Sequence, residues 1–184
     1  MIQGIVGFPR AGKTYYSVAK ALDAMKPTRK FKSGRPVYAN FDIKGAERLS
    51  ESDPSSLFRV RPGSLVILDE AHLFYGSRAW KDFSESASTF FSQSGKLSLD
   101  LIWTAQDSLD VEVQIRRKSE YVTRMTPFLK GVVGHPLFFS AKTYYGARNL
   151  DKDKFLAWSS MVRYKKSVAD AYDTLQILKM EDLT

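Results

Sequence analysis

Short apolar runs separated by glycine- or proline-containing turns mark most of the first 126 residues, and this pattern is typical of buried strands. Such runs predict strands at Ile2–Val6, Pro36–Phe41, Ser64–Asp69, Leu99–Thr104 and Glu120–Thr126. Helices are predicted between these strands at Lys13–Met25, Trp80–Ser94 and Val111–Lys118, either because apolar residues recur at helical spacing or because the segment connects two predicted strands. Strands that alternate with helices favour an α/β fold with a parallel sheet covered on both faces.

The remaining segments carry weaker patterns. Residues 45–62 are predicted to be irregular or to form a short helix, because Ser50–Ser56 is rich in serine, aspartate and proline. Pro136–Tyr145 alternates and predicts a hairpin or an extension of the sheet, and Asp170–Leu178 predicts a short helix or an extended tail. We therefore expect one domain over residues 1–184, with a core to about residue 130 and a C-terminal β extension over about 131–184.

Composition narrows the classes of protein. Hydrophobic residues make up 43% and charged residues 26% of the 184 residues, as is usual for a soluble globular protein. The chain has no cysteine and two histidines, which excludes disulfides and argues against a structural zinc site. No apolar run approaches the ~18 residues of a membrane span, and the N-terminus does not resemble a signal peptide. We expect a soluble, cytoplasmic protein.

The charge is unevenly distributed. The chain carries 28 basic and 20 acidic residues, for a net charge of +8, and both ends are basic while the middle is acidic. The densest basic stretch, Lys26–Arg35, contains glycine and proline without an apolar period and predicts a loop. Such a loop is a candidate for contacts with nucleic-acid phosphates, and a solvated connection is the alternative.

A phosphate-binding loop is the most specific signal in the sequence. Residues 7–14 fit the pattern G-x-x-x-x-G-K-[ST], between a predicted strand and a predicted helix. Backbone N–H groups of such a loop and the positive end of the following helix bind phosphate oxygens. Lys13 is expected to reach the β- and γ-phosphates of ATP, and Thr14 to ligate Mg²⁺. The candidate nucleotide-binding residues are Gly7, Phe8, Pro9, Arg10, Ala11, Gly12, Lys13, Thr14 and Tyr15.

The third predicted strand ends in an acid, Asp69, and a second acid, Glu70, follows it. Asp69 is expected to hold the Mg²⁺ shell through water, and Glu70 to orient the water that attacks the γ-phosphate. Together with Ala71 and His72 they spell a helicase box, but such helicases need two tandem domains, more than 184 residues supply. His72 is therefore interpreted as a structural or coupling residue.

Further candidate groups lie on later strands and helices. Gln106 or Thr104, at the end of the fourth predicted strand, would face the γ-phosphate if that strand lay between the first and the third. Arg116 is the first candidate for an arginine that completes the site of a neighbouring subunit, with Arg117 and Arg78 as alternatives. Tyr15, Tyr16 and Tyr172 are candidates for stacking on adenine, and the sequence does not discriminate among them.

These motifs together resemble the Zot-like (zonular occludens toxin-like) family of phage assembly ATPases, in the FtsK–HerA group of P-loop motors. The resemblance covers nearly the whole chain and rests on the following segments: Gly7–Thr14, Val37–Asn40, Leu68–His72 with Ser77 and Arg78, Leu99–Gln106, Ile115 with Arg116, and Val168–Thr174. It implies a RecA-like core with an additional strand and a catalytic glutamate, in which the five predicted strands have the order 5-1-4-3-2.

The resemblance also implies a function. A member of this family is expected to hydrolyse ATP with Mg²⁺, to assemble into a ring or another homo-oligomer, and to move viral DNA in the host cytoplasm or in association with virions. Filamentous-phage members carry a transmembrane helix after the ATPase domain, whereas this sequence shows none. Packaging into a capsid and export through a membrane, with capsid or membrane assembly proteins as partners, therefore both stay open.

Two other classes of function are weighed against the motor. A small-molecule kinase is compatible with the length and the phosphate loop, but no arginine-rich lid flanked by glycines follows the fourth strand, and Glu70 favours water as the acceptor. A nucleotide-dependent scaffold with little turnover is the other alternative. The guanine-reading motif Asn-Lys-x-Asp is missing from the sequence, which argues against a GTPase switch.

Overall fold

A single mixed sheet organises the chain in a computed structural model that describes residues 1–50, 54–75, 90, 94–130 and 136–173. Its strands in the described residues are β1 Ile2–Val6, β2 Val37–Ala39, β3 Glu47–Arg48, β4 Leu65–Leu68, β5 Asp100–Ala105, β6 Tyr121–Lys130, β7 Pro136–Tyr145 and β8 Leu156–Arg163. Helices with described bounds are α1 Lys13–Ala24, α2 Ala71–Tyr75, α3 Val113–Lys118 and α4 Lys166–Ala169. Short 3₁₀ turns cover Pro54–Arg59, Ser108–Asp110, Ala147–Asn149 and Asp153–Phe155.

The strands lie in the order β3-β2-β4-β5-β1-β6-β7-β8. Pairing is parallel from β3 to β6 and antiparallel from β6 to β8. The five predicted strands correspond to β1, β2, β4, β5 and β6, and they lie in the order that the family resemblance implies. The expected α/β class and the C-terminal β extension are confirmed, and β5 separates the phosphate-loop strand β1 from the acidic strand β4.

Some elements differ from the prediction. Strand β6 continues past Thr126 to Lys130, because β7 pairs with it beyond the point where β1 ends. For Asp170–Leu178, predicted as a short helix or an extended tail, α4 ends before the segment at Ala169, and Tyr172 forms an antiparallel bridge with Ile43. Residues 174–178 of that prediction lie outside the described residues. The predicted helix 80–94 lies outside the described residues, apart from Phe90 and Ser94.

Each face of the sheet buries its own apolar layer. On one face, Val18 and Ala21 of α1 pack against Ile5, Ile67 and Ile102 of the central strands. On the other face, Trp103 and Leu101 of β5 belong to a cluster with Val66, Leu57 and Ile115. Coverage of both faces explains why the central strands are apolar without alternation. Among the described residues no helix is long and apolar enough to cross a bilayer; α1 has 12 residues.

The close packing of Trp103 on β1 makes Gly4 sensitive to substitution. A methyl group added at Gly4 would lie 2.2 Å from Cζ2 of the fully buried Trp103 ring. We expect Gly4→Ala to lower the free energy of unfolding by about 1–3 kcal/mol, as overpacked cores do. Denaturant unfolding measures this change. Gly95→Ala, where no atom lies within 4 Å of the added methyl group, is the matched control; equal midpoints for wild type and Gly4→Ala would contradict the packing.

Candidate nucleotide-binding site

The phosphate loop joins the carboxyl end of β1 to the first turn of α1, and both of its glycines are required by shape. Gly12 has φ +87°, and a Cβ there would lie 2.5 Å from Cδ1 of Phe139. A Cβ at Gly7 would lie 2.6 Å from the carbonyl oxygen of Met125. The Gly7 N–H also donates to the carbonyl of Gln106, 3.3 Å away, which ties the loop to the end of β5.

The first turn of α1 offers backbone donors to an anion. The first backbone hydrogen bond of the helix runs from the Tyr16 N–H to the Gly12 carbonyl at 2.9 Å. The N–H groups of residues 13–15 therefore have no partner within the helix, and Gly12 has no side chain that could cap them. A helix start of this kind, after a glycine-containing loop, is suited to phosphate oxygens.

Lys13 lies inside the curve of the loop. Its Nζ donates to the carbonyls of Gly7 at 3.1 Å and of Phe8 at 3.4 Å, and its side chain is only 6% exposed. The same Nζ lies 3.9 Å from Oε1 of Glu70. The structure thus brings together the predicted phosphate-binding lysine and the predicted water-orienting acid.

Asp69 is the centre of a hydrogen-bond network between three strands and α1. Its Oδ2 and Oδ1 accept from the Thr14 hydroxyl at 3.0 and 3.2 Å, and Oδ1 accepts from the Thr104 hydroxyl at 2.7 Å. The Thr104 oxygen in turn accepts from the Glu70 N–H at 2.9 Å. Thr104, at the end of the intervening strand β5, therefore links both acids to each other.

Sequence reasoning assigned no role to Asn40, which fixes the acidic turn. Its side-chain amide donates to the Asp69 carbonyl at 2.9 Å, and its side-chain oxygen accepts from the Asp69 N–H at 2.8 Å. The signal available in the sequence was an amide directly after a short apolar strand, in the segment Val37–Asn40. Because the partner is 29 residues away, its role becomes visible only when β2 and β4 pair.

Electrostatics favour a cation beside Asp69. Burial raises the pKa of the Asp69 carboxyl above its ordinary value, and the neighbouring Glu70 carboxylate raises it further. The hydrogen bonds from Thr104 and Thr14 and the positive charge of Lys13 act in the opposite direction. Two adjacent acids with one nearby lysine leave negative charge that a divalent cation would compensate. The hydroxyl and carboxylate oxygens of Thr14 and Asp69 are the hard ligands that Mg²⁺ prefers, so these residues fit Mg²⁺.

The hydrogen bonds of Gln106 and Arg116 do not involve the Asp69 network. The Gln106 side chain is exposed, and its contact with the loop is through its backbone carbonyl. Arg116 is half-buried on α3, where its Nε donates to the Val111 carbonyl at 2.9 Å. Arg78 lies outside the described residues.

The basic loop divides into one structural arginine and several exposed side chains. Arg35 donates to the carbonyls of Gly63 and Ser64 and pairs with Asp100 at 2.5 Å, so it joins the starts of β4 and β5. Arg29, Lys30 and Lys32 are exposed. These three side chains and Lys26, rather than Arg35, are the accessible basic part of the predicted phosphate-contacting loop.

Of the three tyrosines, Tyr172 is the one whose pKa responds to the charge of Asp69. Burial raises its pKa to about 12, and the Asp69 carboxylate contributes to this shift. Its ring meets Phe41 edge-on at 6.4 Å. Tyr16 is half-buried beside Lys20, whose Nζ lies 4.9 Å from the ring centroid.

Tyr15 turns its side chain away from the loop and toward the C-terminal segment. Its hydroxyl donates to the Arg163 carbonyl at 3.1 Å and accepts from the Lys165 N–H at 2.7 Å. Its ring contacts Tyr164 and Phe139 at centroid distances of 5.5 and 5.3 Å. A contact between Tyr15 and nucleotide would therefore use its backbone N–H, while its side chain ties α1 to the end of β8.

The Tyr15 hydroxyl supports a stability prediction. We expect Tyr15→Phe to lower the free energy of unfolding by about 1–3 kcal/mol, because a carbonyl and an N–H in a partly buried contact lose their partner. Thermal or denaturant unfolding measures the change. Tyr16→Phe is the matched control on the same helix and should be nearly neutral; equal losses for both variants would contradict the role of the Tyr15 contact.

A phosphate loop between β1 and α1, with an acidic pair directly after β4 in the parallel part of the same sheet, defines the P-loop NTPase class of α/β folds. Within this class the chain belongs to the zonular occludens toxin (Zot) family, whose family model matches residues 43–175. The match begins after the phosphate loop, so the two observations are independent. The recognition made from the sequence is confirmed.

Solved structures share the fold. The N-terminal domain of zonular occludens toxin from Neisseria meningitidis has a TM-score of 0.67 and 18% identity, over 94% of this chain and 98% of that one. B204, the DNA-packaging ATPase from Sulfolobus turreted icosahedral virus, has a TM-score of 0.57 and 10% identity, over 89% and 97%. The genome packaging NTPase B204 of Sulfolobus turreted icosahedral virus 2, in complex with ATP-gammaS, has a TM-score of 0.55 and 11% identity, over 89% and 97%. No curated protein matches the chain.

Proposed function

We propose that this protein is a viral or phage motor ATPase that hydrolyses ATP to drive DNA translocation during virion assembly. One observation carries the proposal: Lys13, Thr14, Asp69 and Glu70 converge where the phosphate loop meets α1, joined by the contacts at 3.0–3.9 Å described above. The similar structures include a DNA-packaging ATPase and a genome packaging NTPase in complex with an ATP analogue, which supports both the nucleotide and the process.

The phosphate loop, residues 7–14, would hold the ATP phosphates with the backbone N–H groups of the first turn of α1, including that of Tyr15. Thr14 and Asp69 would hold Mg²⁺, which when bound neutralises phosphate charge and lowers the barrier to phosphoryl transfer. Among the described residues, no group of three or more His, Cys, Asp and Glu side chains could hold a metal ion. With only Thr14 and Asp69 as protein ligands, nucleotide phosphates and water would complete the coordination shell of the Mg²⁺ ion.

Four side chains would act on the reaction. Lys13 would exchange the Gly7 and Phe8 carbonyls for phosphate oxygens, since ammonium binds a charged oxygen more strongly than a carbonyl. Glu70 would orient the attacking water in line with the leaving oxygen. Gln106, whose exposed side chain follows the end of β5, would sense the γ-phosphate, and Arg116 would reach the site of a neighbouring subunit.

The motor role requires DNA and further copies of the chain. The exposed bases Arg29, Lys30 and Lys32 would contact DNA phosphates in a salt-dependent manner. A ring or another homo-oligomer would let Arg116 of one copy complete the site of the next. Capsid proteins and membrane assembly proteins are the candidate partners for packaging and export, respectively.

The products of turnover separate hydrolysis from kinase chemistry. The wild-type protein, incubated with Mg²⁺ and ATP labelled at the γ-phosphate, is expected to release ADP and inorganic phosphate in equal amounts without an added acceptor. Label that stays in ATP until a small-molecule acceptor is supplied would favour the kinase alternative. Tight ATP binding with neither product would favour the low-turnover scaffold.

A further inference from the structure

The position of His72 suggests a role that the proposed mechanism does not use. We infer that His72 is a positioning residue that holds the Glu70 carboxylate through its Nδ1 atom; this inference rests on the proposed hydrolysis at Glu70. Nδ1 of His72 lies 3.3 Å from Oε2 of Glu70. Both atoms are buried, and neither makes a well-aligned hydrogen bond in the part of the chain that the structure describes.

The backbone of Glu70 is already constrained on both sides. Glu70 has φ +46°, a left-handed conformation that costs energy for a residue with a Cβ. Asn40 holds the backbone of the preceding Asp69, and the Glu70 N–H donates to Thr104 at 2.9 Å. The freedom that remains at Glu70 is therefore in its side-chain torsions.

Two side chains restrict those torsions. Oε1 of Glu70 lies 3.9 Å from Nζ of Lys13, and Oε2 faces His72. The contact with Lys13 would be lost on ATP binding, because the Lys13 ammonium must then turn toward the phosphates. His72 would then be the remaining side chain that fixes the carboxylate.

A histidine is suited to this task for two reasons. Its Nδ1–H donates one directional hydrogen bond, which orients a carboxylate through one oxygen. The other carboxylate oxygen stays available to accept a hydrogen bond from water. His72 also lies in the first turn of α2, a helix that starts one residue after Glu70, so the distance between the two side chains is set by a rigid turn. A small rotation of Nδ1 toward Oε2 would complete the hydrogen bond.

Three substitutions at position 72 separate positioning from packing. In His72→Asn the amide nitrogen stands at the same branch as Nδ1, in His72→Gln it stands one bond further out, and in His72→Leu no donor remains. We expect His72→Leu to lower kcat for ATP about tenfold or more with KM unchanged, as the loss of a supporting contact typically does. His72→Asn should retain kcat within about threefold, and His72→Gln should resemble His72→Leu.

The kinetic result has clear readings. An unchanged kcat in His72→Leu would overturn the inference, and so would an equal loss of kcat in His72→Asn and His72→Leu when both unfold at the wild-type temperature. An inactive wild-type protein would instead contradict the proposed function itself, and the inference would then fall with it. A rise in KM without a fall in kcat would also contradict a role at Glu70.

The ring of His72 provides a measurement that does not depend on turnover. In the nucleotide-free wild-type protein, nitrogen-15 NMR at a pH where the ring is neutral should show the proton of His72 on Nδ1. In Glu70→Ala the acceptor is gone, and the ring should return to the usual Nε2–H form. The sequence contains one other histidine, His135, so the ring signals that disappear from the spectrum of His72→Asn are those of His72. An Nε2–H ring in the wild type would overturn the inference.

Discussion

Lys13→Ala is expected to weaken ATP binding about 10- to 100-fold and to lower turnover about 100-fold or more, which is the range for removing a preorganised donor from a transition-state charge. Lys13 is nearly buried inside the loop and is held by the carbonyls of Gly7 and Phe8. No other lysine described in the structure has this position.

Nucleotide affinity and turnover must both be measured for this variant. Fluorescent-nucleotide titration gives the affinity, and phosphate release gives the rate. Lys26→Ala is the matched control, because it removes the same charge from an exposed side chain whose ion pair with Asp23 lies at the C-terminal end of α1. If Lys13→Ala bound and hydrolysed ATP like Lys26→Ala, the loop at residues 7–14 would not be the nucleotide site.

Glu70→Gln is expected to bind ATP within about threefold of the wild type and to lose turnover about 10²- to 10⁴-fold, the usual contribution of a positioned acid–base group. The amide keeps the size of the side chain and its contact with His72, but it removes the negative charge that polarises the attacking water. Binding should survive, because the phosphates are held by the loop and by Lys13.

Glu47→Gln is the matched control for this charge change. Glu47 is exposed on β3 and pairs with Arg61 at 3.3 Å, remote from the loop along the sheet order. Single-turnover mixing of excess enzyme with ATP separates the chemical step from product release. A wild-type chemical rate in Glu70→Gln would assign the water-orienting role to another residue and would leave the His72 inference without its target.

The parts of the fold that the sequence predicts well are those with a local cause. The phosphate loop is recognised because four specified residues within the eight of Gly7–Thr14 determine one turn, and the central strands because both of their faces are buried. Strand β8 was not predicted, since Leu156–Arg163 is mostly exposed and shows no regular alternation. Strand β3 is only two residues long and depends on pairing with β2.

In the candidate site, too, the residues that could be predicted are those with a local sequence pattern. Lys13, Thr14, Asp69 and Glu70 were predicted from motifs within single segments, and the structure brings them into contact. Asn40 was missed as a support of the acidic turn, and the side chain of Tyr15 meets the chain 148 and 150 residues later. Such contacts depend on which strands and segments become neighbours, which no local pattern encodes.

ATP turnover of the wild-type protein, measured with and without DNA over a range of protein concentrations, is the most direct test of a DNA-translocating motor. We predict that DNA stimulates turnover and that the rate per chain rises steeply with concentration, because a neighbouring copy would supply Arg116. Addition of salt should weaken the stimulation by DNA. Turnover that responds to neither DNA nor protein concentration would contradict the motor.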